Sequence, residues 1–88
     1  MSEFDNVDLN EFERYQLLQE MKALQREIVM LEQENNDFEE FLQDPKLPAM
    51  VKSELPSDIA NNRRNIYYKG EELKNLEQLY NDKFGMNR

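Results

Sequence analysis

The chain of 88 residues contains no cysteine and no histidine. Without thiols it can form neither disulfides nor thiolate metal sites. Without imidazole it lacks the ligand that carboxylate-bridged metal bundles place beside their glutamates. No glycine-rich phosphate loop occurs, and no serine stands in a nucleophile-like context, so the expectation is a non-enzyme without cofactor or metal. No apolar run approaches the roughly 18 residues that a membrane span needs. The start, Met1 to Asp5, lacks the basic and apolar regions of a signal peptide. A soluble intracellular protein with no membrane contact is therefore expected, cytoplasm and nucleus not being distinguished. Two glycines and three prolines leave few places to turn.

What is present suits long helices. Apolar residues make up 39% and charged residues 34% of the chain, a balance more polar than that of a compact globule. One small domain of this length has a marginal core, and with no disulfide or metal the remaining remedy is oligomerisation. The net charge of −8 is unevenly placed: residues 1–44 hold 13 acids and 3 bases, residues 45–88 hold 6 acids and 8 bases. The first half argues against nucleic acid, whose phosphates need clustered Lys and Arg. Asn61 to Asn65 with Tyr67 and Tyr68 mix basic and aromatic groups, but two arginines are a thin basis for RNA contact. The charge asymmetry gives the halves a reason to attract each other.

The strongest pattern is a heptad repeat from about Glu13 to Leu42. Met21, Ile28, Asn35 and Leu42 take position a; Leu17, Leu24, Leu31 and Phe38 take position d. Such a seam must be buried against another helix, and these eight residues are the expected protein-binding surface. Asp8 with Glu11 resembles a capping box, which starts helix 1 after a tail at 1–7; Asp44-Pro45 stops it near residue 43. Residues 44–56 hold Pro45, Pro48 and Pro56 and read as a structured, partly helical connector of one or two turns with Pro48 at the first position, Leu47, Met50, Val51 and Leu55 giving it an apolar face. Ser57 caps helix 2, expected from Asp58 to about Phe84, with Gly85 as its stop and 85–88 as a second tail. Ile59, Ile66, Leu73 and Tyr80 recur every seven residues there. Asn62 and Lys69 occupy positions where a regular seam wants apolar groups, and Gly70 costs about 1 kcal/mol relative to Ala in mid-helix.

Ile at a between Leu at d, with one Asn at a, is the pattern of a parallel dimer whose asparagines pair. The flanks oppose this, because Glu27 and Glu34 would face Glu32 and Glu39 of a second copy. Helix 2 carries Arg63, Arg64, Lys69 and Lys74, so the expected fold is all-α: an antiparallel helical hairpin or coiled coil with a Pro-containing connector, assembling into a helical bundle. Leu18, Phe41, Tyr67 and Tyr68 widen the apolar stripes beyond the need of two helices. The expected function is a non-catalytic coiled-coil interaction or scaffold subunit that assembles through its heptad seam with itself or another helical protein. The alternative is an acidic regulatory protein occupying a basic surface, as a nucleic-acid mimic or antitoxin-like binder; a holdase chaperone is a third reading. Partner identity and cellular process are not legible.

Overall fold

The computed structural model of the chain describes residues 9–85. It contains two helices, α1 (Leu9–Gln43) and α2 (Ala49–Phe84), packed antiparallel as a hairpin. At 1.5 Å per residue each is about 52–54 Å long, and the molecule measures 63 × 32 × 15 Å. Among the described residues no helix is long and apolar enough to cross a membrane.

α1 runs unbroken because it contains no Gly or Pro and because its heptad seam finds a partner along its length. It stops at Gln43, where the residue before Pro45 is excluded from the α region. The Asp44 side chain accepts the Lys46 N–H at 2.9 Å and the Asp44 N–H donates to the Phe41 carbonyl at 3.1 Å. These bonds turn the chain within residues 44–48. Pro48, extended at φ −61° and ψ 147°, precedes α2 and accepts from Val51 and Lys52 through its carbonyl.

The connector is thus shorter than the sequence indicates. α2 begins at Ala49, not at Ser57 or Asp58, and passes through Pro56 without a break. Proline inside a helix removes one N–H and crowds the carbonyl four residues back. Here Leu55 and Ile59, two of the most buried residues in the chain, hold the backbone against α1 on both sides of it. At the far end the Gly85 N–H reaches the Asn81 carbonyl at 2.9 Å. Gly85 is a stop through space rather than handedness: its φ is −71°, and a Cβ there would collide with the Asn81 carbonyl. The tail at 1–7 and the Asp8 cap lie outside the described residues.

Candidate functional site: the helix interface and its open sides

The eight seam residues, with Ala23, are the least exposed positions of α1. Leu17, Met21, Leu24 and Asn35 are buried; Ile28, Leu31, Phe38 and Leu42 are half-buried. Leu55, Ile59 and Asn62 are the buried residues opposite, with Ile66, Leu73, Leu76 and Tyr80 half-buried behind them. Burying an aliphatic side chain of this size stabilises by about 1.5–3 kcal/mol, so the five buried apolar residues dominate the packing. The seam is closed by the chain's own second helix.

Asn35 does not need a counterpart in another copy. Asn62 Nδ2 donates to Asn35 Oδ1 at 2.9 Å and to Glu34 Oε1 at 2.8 Å, while Asn35 Nδ2 donates to the Ile59 carbonyl at 3.3 Å. Among the described residues no buried side-chain polar atom lacks a partner. Two asparagines that look like separate defects form one satisfied layer, and only one alignment of the helices satisfies both.

The glutamates at heptad position g follow the same logic. Glu13 receives Lys83 at 2.7 Å, Glu27 receives Lys69 at 2.9 Å, and Glu34 receives Asn62. On the opposite flank Arg63 stands 3.9 Å from Glu39, and Arg14 Nε donates to the Tyr80 hydroxyl at 2.7 Å. That hydroxyl and the neighbouring Glu11 carboxylate raise the Arg14 pKa above its ordinary value. The charged groups among these are all at least partly exposed, and surface ion pairs are worth about 0.2–1 kcal/mol each. Their role is alignment more than stability. Arg63 and Lys69 take the part expected of them. Arg64 bonds only Asn61 on its own helix, and Lys74 makes no described side-chain bond. Lys83 and Arg14 are contributors that the sequence does not single out, and Tyr80, expected on the α2 stripe, also supplies the hydroxyl that Arg14 reaches.

Two helices in one layer leave much of the apolar surface open. Among the described residues no side chain is fully buried, and Leu9, Phe12, Tyr15, Leu18, Val29, Met30, Phe41, Met50, Val51, Tyr67, Tyr68 and Leu79 are exposed. Tyr67 and Tyr68 meet edge to face at 5.6 Å, touching each other but remaining in solvent. One shallow groove runs along the side of the hairpin between Leu18, Lys22 and Gln25 of α1 and Glu77, Tyr80 and Asn81 of α2. It continues onto the outer face of α1 past Lys22, Arg26 and Val29. Another apolar groove lies at the turn, lined by Glu40, Phe41, Gln43, Asp44 and Pro45. Among the described residues no group of three acidic side chains is placed to hold a metal ion.

The fold and these contacts define an all-α, two-helix antiparallel hairpin. No family model, curated protein or solved structure matches this chain.

Proposed function

We propose that this chain is a non-catalytic assembly subunit, a helical hairpin that joins a larger helical structure through the faces its own pairing leaves open. The observation that supports it is the coexistence, among the described residues, of twelve exposed large apolar residues with no fully buried side chain. Among them Val29 and Met30 line one apolar groove and Phe41 another, and exposed apolar surface gathered in grooves is characteristic of interaction sites. The heptad seam acts within the chain, so assembly uses the outer flanks rather than the a and d positions. The acidic-regulator reading is weakened, because Glu13, Glu27 and Glu39 already hold basic partners from α2.

Thermal unfolding followed by circular dichroism at a series of protein concentrations tests the assembly reading. An assembling chain melts at higher temperature as its concentration rises. A melting temperature independent of concentration, with a cooperative transition and no binding of an apolar dye, would overturn it.

A further inference from the structure

The grooved side of the hairpin is formed by two stripes whose residues recur at alternating steps of three and four. On α1 the stripe runs Leu18, Lys22, Gln25, Val29, Glu32, Asn36 and Glu39. On α2 it runs Arg63, Tyr67, Gly70, Lys74 and Glu77. Lys22 and Glu77 line one groove, and Glu39 faces Arg63. Halfway between those two cross-contacts lie Val29 to Leu31 on α1 and Gly70 on α2, so the stripes share a common midpoint.

Charge is antisymmetric about that midpoint on α1, and on α2 Arg63 and Glu77 follow the reverse sense with Lys74 interrupting it on the Glu77 side. Before it α1 carries Lys22, with Arg26 alongside; after it come Glu32 and Glu39, with Glu40 alongside. α2 carries Arg63 on one side of Gly70 and Glu77 on the other, at equal distances of seven residues. The side chains of Lys22, Arg26, Glu32, Glu40, Lys74 and Glu77 make no hydrogen bond or ion pair among the described residues. A helix stripe that is basic on one half and acidic on the other fits the same stripe of a second copy turned end for end, and the two stripes run in opposite senses. Gly70 fits the same arrangement. A Cβ built on it meets nothing within 4 Å, so the hairpin has no steric need for glycine there, although glycine in mid-helix costs about 1 kcal/mol.

We propose that this face is the interface of a homodimer in which two hairpins stack face to face and antiparallel, about a two-fold axis passing near Val29 and Gly70. The inference rests on the assembly reading above and names its partner as a second copy of this chain. In that arrangement each helix lies over its own counterpart: Lys22 and Arg26 face the acidic half of the partner copy's α1, and Arg63 faces the position of Glu77 on the partner copy's α2. Tyr67 lies over the position of Lys74, as a cation over an aromatic ring requires. Gly70 meets its own counterpart at the axis, where the absence of a side chain lets the backbones approach. The result is an isologous four-helix bundle.

The test uses two charge-reversed full-length chains, Lys22→Glu with Arg26→Glu, and Glu32→Lys with Glu40→Lys, studied by sedimentation equilibrium with circular dichroism to verify helix content. The four positions are exposed and outside the hairpin's own pairs, so folding is retained. Each variant alone places like charges opposite each other and is expected to dimerise at least about 10-fold more weakly than the wild type. An equimolar mixture restores every attractive pair and recovers a one-to-one dimer. As a second readout, Val29→Cys, the sole thiol in the chain, oxidises readily to a covalent dimer, whereas Met50→Cys at the turn does not. A wild-type dimer with both variants unaffected would overturn this interface and leave assembly through another surface standing. A wild type that stays monomeric and melts independently of concentration would overturn the interface together with the assembly reading.

Discussion

Asn62 donates one amide hydrogen to Asn35 across the helix interface at 2.9 Å, and both residues are buried. The pair ties the third heptad of α1 to one level of α2. A shift of either helix by one turn would set an asparagine against an apolar residue and strand its polar atoms. Leaving such an atom unsatisfied costs about 1–3 kcal/mol. That is large beside the small total stability of a domain of this size. We regard the layer as the element that fixes alignment, with the apolar seam supplying the free energy.

Asn35→Ala is accordingly expected to lower the free energy of unfolding by about 1–3 kcal/mol. The double variant Asn35→Leu with Asn62→Leu removes both partners and is expected to match or exceed the wild type. Urea unfolding of Asn35→Leu, Asn62→Leu and the double variant measures the coupling, which should reach at least about 0.5 kcal/mol. Additive effects would mean that the asparagines do not act as a pair.

Leu24 is among the most buried residues of α1. Leu24→Ala is expected to cost about 2–3 kcal/mol, near the low end for buried leucine because a two-helix layer can close partly around the gap. Loss of helical circular dichroism at 25 °C, or a clear drop in the urea midpoint, would confirm it. An unchanged midpoint would show that α1 does not bury this seam against α2.

Pro56 removes a helical N–H donor within α2 while lying beyond the first turn, where proline is tolerated at no cost. Pro56→Ala restores the bond to the Lys52 carbonyl and is expected to stabilise by up to about 3 kcal/mol. The comparison of melting temperatures decides it. A lower melting temperature in the alanine variant would mean that α2 starts after residue 56, as the prolines alone suggest.

Gly70→Ala separates the hairpin from its assembly. Open space around the built Cβ means that the hairpin at dilute, monomeric concentration should gain up to about 1 kcal/mol. Dimerisation of the same variant should weaken, because two methyl groups then meet at the axis. Stabilisation of hairpin and dimer alike would contradict the close approach.

The sequence made α1 legible almost to the residue, since an unbroken heptad run ended by Asp44-Pro45 has one reading. α2 was legible in type but not in extent. Pro56 reads as a breaker from its chemistry, and only the burial of Leu55 and Ile59 on either side of it explains why the helix continues. Asn62 and Lys69 read as flaws because their partners lie on the other helix. A signal was nevertheless present. Glu13, Glu27 and Glu34 are separated by fourteen and then seven residues, and Lys83, Lys69 and Asn62 repeat those separations in reverse order. Mirror-image spacing of complementary groups is what antiparallel pairing produces, and it identifies the alignment once both helices are compared. The function was less legible than the fold, because a seam states that a helix must be covered without stating whether the cover comes from the same chain.

That last point is the centre of the account, and carbodiimide coupling addresses it directly. The reagent joins a carboxylate to an amine in contact with it, as Glu27 and Lys69 are at 2.9 Å and Glu13 and Lys83 at 2.7 Å. Chains at natural abundance and uniformly nitrogen-15-labelled chains are unfolded together, refolded, coupled and analysed by mass spectrometry after digestion. If α2 covers the seam of its own chain, the Glu27–Lys69 and Glu13–Lys83 products carry either all light or all heavy nitrogen. Products joining a light peptide to a heavy one would show that the seam is filled by a neighbour, and would contradict the hairpin as the unit of this protein.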